Sequence, residues 1–199
     1  MTGPFNPAAE RNKAPLLAAI APYLNAVREV LELGAGSGQH AVYFASQLPH
    51  LRWQASEQPA NVAGLAYNLA QSDSGTLAPP LALDVLVQPW PCRDLEAIFA
   101  ANVVQCMRWE AVEAMFRGVA AALTRDGVFL LYGPFNRDGQ FTSAGNAQLD
   151  AWARSLDAGF GLRDRAALES LAHQHRLALC DDHAMPANNR LLCWRRVAR

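Results

Sequence analysis

Three glycines at alternate positions follow a short apolar segment near the N-terminus. Gly34, Gly36 and Gly38 come directly after the strand-like residues 29–33, and the helix-favouring residues 41–48 follow them. Because glycine adopts positive φ and has no Cβ, such a turn bends sharply and lets the backbone lie against a ligand. An ordinary glycine-rich turn is the alternative, and the strand–turn–helix context favours a cofactor site.

The spacing of these glycines bears on the kind of cofactor. The pattern is G-x-G-x-G, whereas the turn that holds a dinucleotide pyrophosphate is G-x-G-x-x-G. A cofactor without phosphates therefore fits better, and S-adenosylmethionine (SAM) is the commonest such ligand. Glu32, two residues before Gly34, strengthens this prediction. A nicotinamide-dependent oxidoreductase is the rival class, and it should show the pyrophosphate spacing.

Polar residues follow three further predicted strands, at the edge where an open α/β sheet binds its ligand. Glu57 follows the second strand, where its carboxylate is expected to accept both ribose hydroxyls of SAM or equally of NAD. Asp84 follows the third strand and is expected to bind an adenine amino group. Asn102 follows the fourth and is expected to face a ligand ammonium. Each residue alone could cap a loop, and their agreement favours a site.

Aromatic residues and one histidine are candidates for the substrate side of this edge. Trp109 either walls a pocket or anchors the start of a helix in the core. Tyr132 and Phe135 follow the last parallel strand and are predicted to floor the substrate site, with aromatic core as the alternative. His40 opens a helix beside the glycine turn, where packing is favoured over a role as a base.

Length and charge narrow the function classes. The 199 residues fit a single domain, 1–199. Its N-terminal segment 1–28 is expected to be helical and to cover the site. A net charge of −1 and a single lysine, Lys13, argue against a nucleic-acid surface. Arg190, Arg195, Arg196 and Arg199 are the exception, interpreted as a solvated edge strand.

The sequence shows no clear targeting segment, membrane span or metal-ligand spacing. The N-terminus, Met1-Thr2-Gly3-Pro4, opens no apolar segment, and no apolar run reaches the length of a membrane span, so a cytoplasmic protein without a membrane partner is expected. The four cysteines lack C-x-x-C pairing and the five histidines lack ligand spacing. We therefore expect no metal site, and the oligomeric state stays open.

Strand-like and helix-like segments alternate along most of the chain, which indicates a parallel sheet covered by helices on both faces. Predicted strands lie at 30–33, 51–55, 81–83, 97–101 and 128–132, and predicted helices at 15–24, 40–48, 61–71 and 109–123. A polar loop at 133–143 precedes helices at 147–156 and 165–175. Strands at 177–185 and 190–197, joined at 186–189, form a hairpin. The prediction is an α/β fold with a mostly parallel seven-stranded sheet and a C-terminal antiparallel hairpin.

Four sequence blocks add a resemblance to a known family. They are Glu10-Arg11-Asn12-Lys13-x-Pro15-Leu16-Leu17, Ser37-Gly38-Gln39-His40-Ala41-Val42-Tyr43-Phe44-Ala45, Tyr132-Gly133-Pro134-Phe135-Asn136-Arg137-Asp138-Gly139 and Met185-Pro186-Ala187-Asn188-Asn189. With the glycine turn, they resemble domain-of-unknown-function family 938 of SAM-dependent methyltransferase-like proteins, whose animal member is called methyltransferase-like protein 26. The resemblance implies the Rossmann-like class I methyltransferase fold and SAM as cofactor.

The resemblance also implies roles for individual residues. Cofactor contacts are expected at Glu32, Gly34, Gly36, Gly38, Glu57, Asp84 and Asn102. Arg11 and Asn12 are expected to fold over the site, and with Gln105, Trp109, Tyr132 and Phe135 they form the expected substrate-binding set. The chain departs from the family at Glu57, where aspartate is usual, and at Gln105, where histidine is usual.

These features predict a SAM-dependent methyltransferase that acts on a small-molecule nucleophile. In-line methyl transfer can proceed largely by alignment of the two reactants. Since Gln105 removes a possible general base, the expected acceptor is a thiol, amine or carboxylate that needs no proton removal. The alternative is a non-catalytic SAM-binding regulatory or partner protein, and Gln105 keeps it open.

Overall fold

A computed structural model of the chain describes residues 5–197. The first four residues of the predicted N-terminal segment 1–28, and Arg199 of the arginine group, lie outside that range. Six α-helices occur within the described residues: α1 (Pro7–Leu24), α2 (Gln39–Gln47), α3 (Val62–Leu69), α4 (Trp109–Ala122), α5 (Ala144–Leu156) and α6 (Arg165–Gln174). No helix among residues 5–197 combines the length and the apolar character that crossing a membrane requires.

The strands form one mixed sheet. They are β1 (Glu29–Leu33), β2 (Arg52–Glu57), β3 (Leu81–Ala82), β4 (Leu95–Ala101), β5 (Leu123–Asn136), β6 (Arg163–Asp164), β7 (Leu177–Met185) and β8 (Asn189–Arg196). Their order is β3-β2-β1-β4-β5-β8-β7, and β6 pairs with β5 beside that path. β1 to β5 run parallel, and β8 is antiparallel to both β5 and β7. The predicted α/β fold with a C-terminal antiparallel hairpin is confirmed.

The sheet has a buried apolar layer on each face. One layer includes Phe44, Trp53 and Phe99, and the other is built around Phe116 and Trp194. Rings within each layer meet mainly edge to face at centroid separations between 5.4 and 5.9 Å, an arrangement that aromatic quadrupoles favour. Burial on both faces explains why residues 97–101 of β4 and 128–135 of β5 form continuous apolar runs.

Several element boundaries differ from the sequence prediction, and those of α1 and β5 differ most. α1 begins at Pro7 instead of 15, because the Asn6 side chain accepts the backbone N–H of Ala8 at 2.9 Å and that of Ala9 at 3.3 Å, and Pro7 needs no N–H partner in the first turn. β5 continues through 133–136, which the sequence assigned to a polar loop, because β8 and β6 supply pairing partners there.

The seven predicted strands form the continuous path of the sheet, and within residues 5–197 the two-residue strand β6 adds an eighth by pairing with the end of β5. One prediction about the sheet is wrong. The arginines of β8 do not mark an edge strand, since β8 lies between β5 and β7. Arg190 instead pairs with Asp182, and Arg195 donates to the Asp126 carbonyl at 3.0 Å.

Candidate functional site

The glycine turn lies between β1 and α2 and is held against β2 by a hydrogen bond of 2.9 Å from Ala35 N to the Ser56 carbonyl. Gly34 has φ +63°, and a Cβ at this position would lie 2.7 Å from Val103 Cγ1. Gly38 has φ +80°, and a Cβ there would lie within 3 Å of Leu65 and Leu69 on α3. Both glycines therefore allow neighbouring elements to approach the turn closely.

A cavity of about 380 Å³ opens at the carboxyl ends of β1, β2 and β4. This main cavity is lined by Leu33, Gly34, Glu57, Gln58, Asn61, Leu83, Val85, Asn102, Val103, Cys106, Met107, Met115 and Phe160. Its lining combines amides, a single carboxylate and apolar side chains, with no lysine, arginine or histidine among these residues. Such a lining suits a ligand with an apolar ring and hydroxyl or cationic groups, and offers no counter-charge to phosphate.

Glu57 is the fixed charge of this cavity. Its carboxylate accepts the backbone N–H of Gly36 at 2.9 Å and that of Gln58 at 2.8 Å, one on each oxygen. A carboxylate has about four acceptor positions, so about two remain for a ligand. Glu57 also borders a second cavity of about 720 Å³, whose other walls include Phe5, Pro7 and Gly64.

Asn102 follows β4 in the left-handed backbone region, at φ +56°. Its backbone N–H donates to the Tyr132 carbonyl at 2.8 Å, which ties the end of β4 to β5. Gly34, Glu57 and Asn102, which the sequence placed on three different strand ends, therefore line one cavity. Gly36 lines the second cavity.

Three other predicted cofactor residues lie outside the walls of both cavities. Gly38 packs against α3. Asp84 accepts the backbone N–H of Leu86 at 2.9 Å in its own turn, while its chain neighbours Leu83 and Val85 line the main cavity. Their proposed cofactor contacts, like that of Glu32, stay predictions.

Glu32 is buried between β1 and β2. Its carboxylate accepts the Trp53 indole N–H at 2.7 Å, and its backbone carbonyl accepts the Ser56 hydroxyl at 2.7 Å. Burial raises the pKa of Glu32 to about 7; the Trp53 hydrogen bond opposes this rise, and the nearby Glu57 carboxylate adds to it. Its two hydrogen bonds join β1 to β2 next to the glycine turn.

The predicted substrate residues from α1 and β5 belong to a different polar cluster. The Asn12 side chain lies 2.7 Å from His40 Nε2 and hydrogen-bonds Tyr132, whose hydroxyl also accepts Asn189 Nδ2 at 2.9 Å. Burial and the Lys13 charge lower the pKa of His40 to about 4. Arg11 is exposed. The cluster joins one residue from each of the four sequence blocks, and α1 reaches the second cavity only through its first residues.

The remaining predicted substrate residues also lie outside the cavity walls. Trp109 donates its indole N–H to Glu113 at 2.9 Å at the start of α4. Phe135 is buried in the core beneath α4. Gln105 is 5% exposed, in a 3-10 turn (Val104–Cys106) after β4.

Several lining residues were not found from the sequence. Gln58 and Cys106 are adjacent to predicted site residues, so position relative to the strand end was the available signal. Met107 lines the same wall. Phe160 comes from the loop between α5 and β6, and no local pattern connects it to the site. Among residues 5–197, no group of three or more histidine, cysteine, aspartate or glutamate side chains could hold a metal ion.

Comparison with protein-family models gives one match. A model described as a protein of unknown function (DUF938) matches residues 3–196. This match covers nearly the whole chain.

Solved structures share the fold. Mitomycin 7-O-methyltransferase MmcR superposes with a TM-score of 0.82 at 16% identity over 96% of this chain and 54% of that one. An O-methyltransferase family protein from Burkholderia thailandensis superposes with a TM-score of 0.82 at 14% identity over 94% of this chain and 56% of that one. Human N-acetylserotonin methyltransferase in complex with SAM superposes with a TM-score of 0.79 at 14% identity over 96% of this chain and 53% of that one. The fold is therefore that of class I SAM-dependent methyltransferases, and the chain spans little more than half the length of these proteins.

Proposed function

The chain belongs to the DUF938 family, and from that premise and its methyltransferase fold we propose that it transfers a methyl group from SAM to a small-molecule nucleophile. The observation that carries this proposal is the Glu57 carboxylate, fixed by two backbone N–H groups at the mouth of the main cavity. The free acceptor positions of Glu57 match the two hydroxyls of a ribose. The finer resemblance to methyltransferase-like protein 26 stays a prediction.

The cavity chemistry fits SAM better than a dinucleotide. The Gly36 N–H, which would otherwise face an anion, is occupied by Glu57. The cavity lining carries no cation, so a pyrophosphate would meet a carboxylate without compensation. A sulfonium cation instead gains from Glu57, and Leu83, Val85 and Phe160 offer apolar contact to an adenine ring.

Alignment supplies the catalytic effect in this proposal. SAM, when bound, provides an electrophilic methyl group on sulfur. Gly34 and Asn102, which line the main cavity, would hold the cofactor, and fixed positioning can contribute roughly 7–11 kcal/mol to an in-line displacement. A small acceptor agrees with the cavity and with the names of the similar structures, one of which is a mitomycin 7-O-methyltransferase.

Isothermal titration tests the cofactor. Wild type is titrated with SAM, S-adenosylhomocysteine (SAH) and NAD beside Glu57→Ala and Gly36→Val. Glu110→Ala is the matched control, since Glu110 is exposed and outside both cavities. We expect micromolar SAM binding, weakened about 10- to 100-fold in Glu57→Ala and unchanged in the control. Binding of NAD alone, or of nothing, contradicts the proposal.

Labelled SAM tests turnover and the acceptor class. Incubation with a pool of small metabolites and, separately, with cellular macromolecules should transfer label only to the small-molecule fraction. Transfer to macromolecules alone would refute a small acceptor. Tight SAM binding with no product from either pool would favour a non-catalytic SAM-binding protein.

A further inference from the structure

Helix α5 has an inverted distribution of polar and apolar residues. The residues that it buries against the rest of the chain are Asn146, Asp150 and Ala153. Two large apolar side chains of the same helix face solvent instead, Trp152 at 52% exposure and Leu156 at 59%. A surface helix of a globular protein normally turns its apolar stripe toward the core. The solvent side of α5 therefore has the composition of an inner side.

The buried side of α5 is held by hydrogen bonds. Asp150 accepts the backbone N–H of Leu162 on one carboxylate oxygen and Arg154 Nε on the other, both at 2.7 Å. The Asn146 amide donates to the Thr142 hydroxyl at 2.8 Å. Because hydrogen bonds are directional, they fix which side of the helix points inward. The apolar side therefore cannot reach the core by rotation of the helix.

The solvent side combines a ridge of large side chains with a trough of small ones. The ridge comprises Trp152 and Leu156, one turn apart, and Phe141 in the loop before the helix, which is 47% exposed. The trough runs beside the ridge at helical spacings of three and four residues. Its exposed members are Ala144, Gln148, Ala151 and Ser155. We refer to these seven residues as the outer face; none of them is charged, so covering them desolvates no ion.

Gly145 lies two turns before Trp152 on the same side of α5. A Cβ at this position would meet only Ser143 Oγ within 4 Å, at an ordinary contact distance of 3.8 Å. The packing of the chain itself therefore does not require a glycine here. Glycine within a helix is less stable than alanine by about 0.5–1 kcal/mol. The missing Cβ instead leaves space on the solvent side, next to the trough.

We propose that the outer face binds a second copy of this chain, with the two α5 helices packed antiparallel about a two-fold axis at Gln148. Trp152 and Ala144 lie four residues on either side of Gln148, about 6 Å along the helix at about 1.5 Å per residue. The two-fold axis therefore brings Trp152 opposite the partner's Ala144 and the partner's Gly145, where the space is. It likewise brings Leu156 toward the partner's Phe141.

The outer face suits a copy of itself better than an unrelated surface. A two-fold contact requires a patch that is complementary to itself, and a ridge beside a trough of similar length meets this requirement. The Gln148 amide contains both a donor and an acceptor, so two copies of it can hydrogen-bond each other at the axis. Antiparallel packing also places opposite ends of the two helix dipoles side by side.

Charged residues lie at the two ends of the outer face. The exposed side chains of Arg137 and Asp138 precede the helix, and the ion pair of Arg108 and Asp157, at 2.8 Å, lies at its end. Each end therefore carries both signs, and antiparallel packing allows opposite charges of the two copies to meet. An uncharged centre with charges at the rim is the usual anatomy of a protein–protein interface.

The extent of the outer face sets the expected strength of the dimer. α5 has 13 residues and is therefore about 20 Å long. A strip of this length and of one helix diameter, about 10–12 Å, is smaller than the roughly 800 Å² per partner of a standard stable interface. We therefore expect a reversible dimer with a Kd between about 1 and 100 µM.

Sedimentation velocity of the ligand-free protein between about 1 and 200 µM tests the interface. Trp152→Glu places a charge in the ridge, and Tyr67→Glu, at an aromatic residue of α3 that is 46% exposed, is the matched control. We expect wild type and Tyr67→Glu to share one monomer–dimer equilibrium, and the Kd of Trp152→Glu to rise about 30-fold or more. A wild type that stays monomeric, a Trp152→Glu variant with the wild-type Kd, or equal losses in both variants overturns the proposal.

Cross-linking tests the position of the axis. A residue on a two-fold axis meets its own copy, so Gln148→Cys should form an intermolecular disulfide under mild oxidation. Gln174→Cys, at an exposed glutamine at the end of α6, is the control. We expect covalent dimers in excess of the wild-type background from Gln148→Cys alone, seen on a non-reducing gel. A Gln148→Cys yield no higher than that of Gln174→Cys overturns the proposed arrangement. Both tests use the ligand-free protein, so neither depends on the proposed methyl transfer.

Discussion

Replacing Gly34 by alanine separates two roles that a glycine can have in the same turn. Gly34 and Gly36 both have positive φ, +63° and +56°. A Cβ on Gly34 would lie 2.7 Å from Val103 Cγ1, whereas a Cβ on Gly36 would meet nothing within 4 Å. Gly36→Ala therefore tests the backbone conformation alone, and Gly34→Ala tests that conformation together with a steric clash.

The magnitudes follow from these geometries. The left-handed backbone costs an alanine about 1–2 kcal/mol, and this cost applies to both variants. The 2.7 Å contact is roughly 1 Å shorter than a normal carbon–carbon contact. Val103 must therefore move, and overpacking of this kind costs about 1–3 kcal/mol more. We expect the free energy of unfolding to fall by about 1–2 kcal/mol in Gly36→Ala and about 2–5 kcal/mol in Gly34→Ala.

Urea unfolding of the ligand-free protein, followed by far-UV circular dichroism, measures both values. Val103→Ala removes the clashing methyl, so a double-mutant cycle with Gly34→Ala should return a favourable coupling of about 1–3 kcal/mol. Val103→Ala combined with Gly36→Ala is the control cycle and should be nearly additive. Equal losses in the two glycine variants, or no coupling between positions 34 and 103, would refute the steric argument.

Three further perturbations test other parts of the structure. Because the pKa of Glu32 is raised from 4.5 to about 7, the folded chain binds a proton between these pH values that the unfolded chain releases. As the pH rises from 5 to 7, the free energy of unfolding of wild type, measured with urea, should fall by about 1.4 kcal/mol per pH unit relative to that of Glu32→Gln. The same pH dependence in both proteins would contradict this. Gly118→Ala places a Cβ 2.2 Å from the Trp90 ring and should lower the free energy of unfolding by about 1–3 kcal/mol, whereas Gly64→Ala, with open space around its Cβ, should raise it by about 0.5–1 kcal/mol. Since the pKa of His40 is lowered to about 4, its NMR ring signals should not shift between pH 6 and 8, and a midpoint in that range would show that the ring is solvated.

Much of the fold could be predicted from the chain because the signals are local. Apolar runs separated by helix-favouring segments indicated β1, β2, β4 and β5, and the cluster Pro186–Asn189 indicated the turn of the hairpin. β6 could not be predicted, since two residues carry no periodicity and the strand exists only because β5 extends to meet it. The interior position of β8 likewise depends on strand order, which no local pattern encodes.

In the candidate site, too, some residues could be predicted from local sequence and others could not. Residue type and position after a strand were enough to bring Gly34, Glu57 and Asn102 to one cavity, because parallel strands end at one edge of the sheet. The same reasoning could not place Asp84, whose carboxylate is used by its own turn. It also could not find Phe160, which reaches the cavity from a distant loop.

The sequence by itself determined the parts of this protein that depend on backbone conformation and on the succession of elements along the chain: a glycine turn after β1, an acid at the end of β2 and an amide after β4. Only the tertiary structure decided which side chains are left without a partner. Gln105 reads as any polar residue after a strand, and its enclosed, unpaired oxygen is evident only in the folded chain, where Gly161 and Arg163 of β6 hydrogen-bond the backbone of its turn. Hydrogen-bond satisfaction is a property of all neighbours together, so it is absent from any local pattern.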